Sequence, residues 1–208
     1  MNDWKLALVL NAHSDDGEIA AGGTIIRLIE MGMVVWYVYF ALPPLDNQQE
    51  SPIQETVDAL TLLGVYSLPG LSAPPEYLNK VMPKYRQEIL DRIVFLYRNL
   101  NPDVVFCPSS FDTHQDHEVI YKEAFRACKK CTILGFDFPW NERTGRKDCF
   151  VKLGLEHVRQ KVAAIQQHKS QLFRPFMAES AIIALAHSRG ILAGSEYAEA
   201  FEVIRWIW

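Results

Sequence analysis

The chain has 208 residues, is 49% hydrophobic, and carries 25 acidic against 21 basic residues for a net charge of −4 at pH 7. A chain of this length buries one sizeable core, so residues 1–208 are expected to form a single domain. It offers no basic stripe and no run of about five like charges to neutralise a phosphate backbone, which argues against a nucleic-acid partner.

The opening MNDWKLALVLNAHSDD has an apolar stretch of only about six residues, too short for a signal peptide's core and far short of a membrane span. It reads as a first β-strand over Lys5 to Asn11, with no membrane span expected. Without a secretory segment, Cys107, Cys128, Cys131 and Cys149 fit free thiols in a reducing compartment, and the expected location is cytoplasmic.

After a polar turn, Gly22-Gly23-Thr24 leads into Ile25, Ile26, Leu28 and Ile29, a helical pattern ending near Gly32. Val34 to Ala41 is β-branched and aromatic and forms the second strand. A proline-bearing loop precedes a helix over Glu55 to Leu63 that stops at Gly64, and Val65 to Lys80 reads as surface connection. Tyr85 to Leu100 places Ile89, Ile93, Leu96 and Tyr97 on one helical face, and Asp103 to Cys107 is a third buried strand. Further on, strands are expected near Thr132 to Phe138 and Cys149 to Lys152. Helices are expected over Leu155 to His168 and Ala178 to Ser188, and a core-packed strand from Ala198 to Trp208. The alternation specifies an α/β fold, a single Rossmann-like three-layer domain with a mostly parallel sheet.

Two polar clusters each come directly after a strand: His13-Ser14-Asp15-Asp16 and Asp112-Thr113-His114-Gln115-Asp116-His117. Ligands of open α/β sheets sit at the carboxyl ends of strands, so the two clusters are expected to converge although about 100 residues separate them. Together they supply a His/Asp/His set that leaves a position open on a zinc ion, as a catalytic rather than a structural site requires. Of the adjacent Asp15 and Asp16, one can bind the metal while the other takes a proton. Of His114 and His117, one can bind metal while the other meets the oxyanion, if Asp112 or Thr113 caps a helix there. Capping alone is the plainer reading of such an aspartate. Cys128-x-x-Cys131 has no second such pair and no thioredoxin-like surroundings, so no function is read there.

Ala12-His13-Ser14-Asp15-Asp16, Gly22-Gly23-Thr24 and Asp112-x-His114-x-Asp116-His117 resemble the blocks of the LmbE-like/PIG-L N-acetylglucosaminyl deacetylase family. Glu55, Leu63-Gly64-Val65, Pro102-Asp103-Val104-Val105, Lys161 with His168, Ser170 and Gln171, and Tyr197-Ala198-Glu199-Ala200-Phe201 extend the resemblance over nearly the whole chain. The resemblance implies a metal-dependent hydrolase that removes the acetyl group from an N-acetylated amino sugar or its conjugate. It implies Zn2+ (or another divalent ion) held by His13, Asp16 and His117, with Asp15 as general base. It further implies His114 as stabiliser of the tetrahedral intermediate, oriented by Asp116, with Glu55 and His168 on the substrate side. Ser14 replaces the family's common proline, and no arginine stands one turn before Glu55, so the substrate must be anchored otherwise. The expected partner is a small-molecule amino sugar, with a homo-oligomer open through the apolar terminus Ile204 to Trp208. Two other readings remain: a non-catalytic sugar- or nucleotide-binding protein, or a metal-dependent amidase with a non-sugar substrate. The first lacks the G-x-G-x-x-G spacing of a dinucleotide site.

Overall fold

A computed structural model describes residues 4–41, 52–65 and 82–207. The described residues contain a six-stranded sheet in the order β2-β1-β3-β4-β6-β5. Its strands are β1 (Leu6–His13), β2 (Val34–Ala41), β3 (Val104–Cys107), β4 (Thr132–Gly135), β5 (Cys149–Leu153) and β6 (Tyr197–Arg205). The first four are mutually parallel, and β6 runs antiparallel to both β4 and β5. The helices are α1 (Asp16–Glu30), α2 (Pro52–Leu62), α3 (Arg86–Leu100), α4 (Gln115–Ala127), α5 (Leu155–Ile165) and α6 (Glu179–Ala193). They form the outer layers of a mostly parallel α/β fold, as expected. Most of the expected connection over Val65 to Lys80 lies outside the described residues.

The parallel strands are apolar on both faces because helices cover both. Ala7 and Val9 belong to the core beneath α1 and α5, and Leu8 and Leu10 to the core beneath α3 and α4. The chain leaves β1 for β2 on one side and later returns to β3 on the other. β1 is therefore bonded to both, and a crevice opens between the carboxyl ends of β1 and β3.

Helix α1 begins at Asp16, directly after the turn, so Gly22 and Gly23 lie inside it rather than ahead of it. Close packing is the reason. A Cβ on Gly23 would come within 2.4 Å of Leu153 Cδ1, and one on Gly22 within 3.0 Å of Lys161 Cγ. Into this gap comes Glu199 of β6, whose carboxylate accepts from the amides of Gly23 (3.0 Å) and Thr24 (2.6 Å). The same carboxylate pairs with Lys161 of α5 at 2.6 Å, and both side chains are 4% exposed. Helix α6 runs five residues past the expected Ser188 and ends on Gly194 in the left-handed region. It can run on because Gly190 lets the chain pass: a Cβ there would lie 2.3 Å from the Glu196 carbonyl oxygen. At the C-terminus, Trp206 packs on Trp4 with ring centroids 5.7 Å apart.

Glu199→Gln leaves the buried Lys161 ammonium without its anion. It is expected to destabilise the protein by about 3–5 kcal/mol, read as a lowered midpoint of urea unfolding. A loss under about 1 kcal/mol would show that the pair does not hold α1, α5 and β6 together.

Candidate metal centre and active site

The last residue of β1 is His13, and the chain turns at once into α1, so His13, Asp15 and Asp16 crowd one strand end. Ser14 lies wholly buried in this turn. Its carbonyl accepts from the Tyr37 hydroxyl at 2.9 Å, and that hydroxyl accepts from Gly17 N at 3.0 Å. The turn is thus held by a tyrosine of the neighbouring strand, and no proline is needed. Asp16 closes it from the other side, its Oδ2 accepting from His13 N at 2.7 Å.

Across the crevice, β3 ends in the loop that carries Asp112 and then α4. The residue that caps α4 is His114, whose Nδ1 accepts from Asp116 N at 3.3 Å. Asp112 does not cap the helix: its Oδ1 accepts from His114 N at 2.8 Å, while its Oδ2 meets His117 Nδ1 at 2.6 Å. His117, one turn into α4, therefore turns its Nε2 toward the first cluster.

The two clusters meet. His117 Nε2 lies 3.2 Å from Asp16 Oδ1 and 3.4 Å from His13 Nδ1, and His13 Nδ1 lies 3.6 Å from Asp16 Oδ2. Asp16 enters these distances through both of its oxygens, and one ligand atom from each of the three residues lies within 4.8 Å of the other two, so the donors converge closely enough for a divalent ion such as zinc, with ligand bonds of about 2.0–2.2 Å, to draw them together. A second group, His13, His114 and Asp116, also brings its ligand atoms within 4.8 Å of one another. There His13 Nε2 faces Asp116 Oδ2 at 3.4 Å. The first group is the better prepared, because a carboxylate on the far nitrogen of a ligating histidine fixes its ring and tautomer, and Asp112 does this for His117.

The electrostatics describe a site built around positive charge. Burial works against an imidazolium at His13, but Asp16, Asp116 and Asp15 outweigh it and raise its pKa to about 10. Burial opposes His117 likewise, and Asp16 with Asp112 raises it to about 9. Asp16 is buried too, yet the two imidazoles hold its carboxyl well below the usual range. His114 moves the other way, depressed by burial and then by its neighbours His117 and His13.

Asp15 belongs to neither donor group. Its carboxylate is 5% exposed and lies 3.9 Å from Arg174 Nη1. Asp116 departs from expectation: its carboxylate faces His13 and accepts from Met82 N at 3.2 Å, and only its backbone N–H reaches His114. Glu55 and His168 are buried behind the turn rather than standing in the cleft. Glu55 accepts from Ser170 N (2.9 Å) and Ser170 Oγ (2.6 Å), and His168 Nε2 lies 3.3 Å from Glu18 Oε1. Two residues of the site go beyond the sequence reading. Asp112 is expected there only as a cap, although a carboxylate five residues before a candidate ligand is a usable signal. Arg174 has no local signal, and folding alone brings it to Asp15.

The fold and the centre together define an α/β protein with histidine–carboxylate donor groups at the carboxyl ends of parallel strands. The chain belongs to the PIG-L family: the family model described as GlcNAc-PI de-N-acetylase matches residues 8–128, a span that includes every donor of both groups. A protein of Escherichia coli strain K12 described as the uncharacterized deacetylase YaiS is 26% identical over 179 residues, covering 81% of this chain and 93% of that one. Among solved structures, the N,N'-diacetylchitobiose deacetylase from Pyrococcus horikoshii superposes with a TM-score of 0.77 at 24% identity, covering 97% of this chain and 84% of that one. GalB, the 4-carboxy-2-hydroxymuconate hydratase from Pseudomonas putida KT2440, superposes with a TM-score of 0.75 at 20% identity, covering 98% of each. At these identities the two structures establish the fold alone.

Above neutrality the two strongly raised imidazoles, with His168 raised beside them, contribute to the pH dependence of the metal-free protein. Their stabilising charge is fully present below the unfolded value of 6.5 and is lost as pH climbs through about 9 and about 10. With EDTA present, the urea midpoint is expected to fall between pH 6.5 and pH 10. A flat profile over that window would mean that the two histidines are not held as cations.

Proposed function

We propose that the protein is a metal-dependent deacetylase that hydrolyses the acetamide of an N-acetylated amino sugar, with zinc held by His13, Asp16 and His117. The observation that carries this reading is the convergence, from the ends of β1 and β3, of two imidazoles and a carboxylate, one ligand atom of each lying within 4.8 Å of the other two. A bound divalent ion lowers the pKa of its water and polarises the acyl carbonyl.

Asp15 acts as the general base. It stands beside the donor set without belonging to it, and Arg174 balances its charge at 3.9 Å. It takes the proton of the attacking water and returns it to the departing nitrogen, so that acetate and a free amine are released. His114 offers the acyl oxygen a hydrogen bond. Because its Nδ1 accepts from Asp116 N, the ring proton sits on Nε2, and the depressed pKa makes it a neutral donor rather than an imidazolium. Asp116 places that ring through its backbone amide and holds His13 through its carboxylate.

Glu55 and His168 support the turn from behind, Glu55 by fixing the Ser170 loop and His168 by pairing with Glu18 next to Asp16's helix turn. The binding-protein alternative needs glycines at a helix N-terminus facing a phosphate. Gly22 and Gly23 instead lie inside α1 against Lys161 and Leu153. All four cysteines are free, which suits a reducing compartment such as the cytoplasm. Among the described residues no helix is long and apolar enough to cross a membrane.

Acetate release from a panel of N-acetylated amino sugars, with and without chelator, tests the reading, and activity unchanged after complete metal removal would refute it. Asp15→Asn is expected to lower turnover by about two orders of magnitude or more while retaining metal. Equal loss of metal in that variant would reverse the roles of the two aspartates. Asp112→Asn is expected to weaken zinc about 10–100-fold in a chelator competition, because His117 loses the group that fixes its ring.

A further inference from the structure

A cavity of about 160 Å³ that the chemistry above does not use opens among residues outside both donor groups. Its walls include Ile19, Trp140, Lys161, Phe176, Ile182 and Leu185. Three of these walls are linked to the centre by short chains of contacts. Ile19 stands one turn along α1 from Asp15, with Ile19 N donating to Asp15 O at 3.2 Å. Phe138 packs on His117 at 5.4 Å between ring centroids and on Trp140 at the same distance. Phe176 stacks on Trp140 at 4.4 Å with planes 4° apart, and two residues earlier Arg174 reaches Asp15.

The segment carrying Trp140 is anchored to the loop of the site. Thr113 N and Oγ1 both donate to Asn141 O, at 3.1 and 2.7 Å, and Asn141 Nδ2 donates to Asp112 Oδ2 at 3.4 Å. Among the described residues the only charged wall is spent elsewhere: the Lys161 ammonium is paired with Glu199 at 2.6 Å, so its aliphatic stem is what it can offer the cavity. An aliphatic and aromatic cavity of about 150 Å³ is known to admit a benzene ring.

We propose that this cavity is a substrate subsite for an uncharged apolar group of about the size of a phenyl ring, carried by the same molecule whose acetamide is cleaved. The inference rests on the deacetylase reading and names its substrate class: an N-acylated amino sugar bearing an apolar substituent, on the aglycone or on the acyl side. Arg174, two residues before Phe176 of the wall and 3.9 Å from Asp15, would face the polar part of that molecule.

Benzyl alcohol serves as a direct probe. In methyl NMR of the metal-loaded protein it should shift the Ile182 and Leu185 signals saturably, and Leu185→Trp, which fills the cavity, should abolish the shift while the remaining methyl spectrum stays folded. In kinetics, two arms locate the group: benzyl against methyl β-glycosides of N-acetylglucosamine, and N-phenylacetyl- against N-acetylglucosamine, each read as release of free amine. One arm should gain about tenfold or more in kcat/KM, the range expected for burying a ring-sized group, and lose that gain in Leu185→Trp. No saturable shift, or two flat arms with acetate still released from the methyl glycoside, overturns the subsite and leaves the deacetylase reading intact. Binding of benzyl alcohol with no amide cleaved in either arm refutes the deacetylase reading, and the assignment of substrate class with it.

Discussion

The structure depends on β1 lying between β2 and β3. Because the chain departs from β1 to one side and returns on the other, the carboxyl ends of β1 and β3 flank an open crevice, and the segments leaving those two strands must share it. The segment leaving β1 carries a histidine and two aspartates, and the one leaving β3 opens a helix with His114, Asp116 and His117. Like-signed clusters would repel each other there. Asp16 instead sits between two imidazoles and stabilises both as cations.

Buried charge is costly without partners, and the layer beneath the crevice supplies them in an ordered way. Asp112 holds His117, Tyr37 holds the carbonyl of Ser14 and lies against Glu18, His168 faces Glu18 from behind, and Glu55 pins the Ser170 loop. Glu18 is pushed up by burial, and its neighbour Tyr37 is raised by burial and by Glu18 itself, so the layer behind the donors is a hydrogen-bonded network. At the far side of α1, Glu199 and Lys161 fix the helix against α5 and β6. Helix α1 is thereby held at both its start and its middle, and Asp15 and Asp16, adjacent in sequence, meet different partners, Arg174 and the two imidazoles.

Fold and reaction remain distinct matters. A hydratase and a deacetylase both superpose on nearly the whole of this chain, so the sheet alone does not choose between water addition and amide hydrolysis. The functional argument therefore rests on the donor set, its convergence, and the Asp15 carboxylate standing outside it, together with membership of a family described by a de-N-acetylase.

Much was legible in the amino-acid order. Buried parallel strands declare themselves as short apolar runs, so β1, β2 and β3 fell within a residue or two of expectation, and the polar clusters at their ends marked the candidate site. The register of α1 was not legible, because a glycine pair inside a helix is a poor local choice and makes sense only once Leu153 and Glu199 are seen to need the space. Nor were the bond of Asp112 to His117, the turn of the Asp116 carboxylate toward His13, or the approach of Arg174 to Asp15, since each depends on a side-chain direction set by packing between distant segments. Sequence by itself determined which chemical groups are present and at which strand ends they stand, because periodicity and composition are local properties. Only the tertiary structure decided which atom faces which, because contacts between residues about 100 apart are chosen by the global packing of the sheet and its helices.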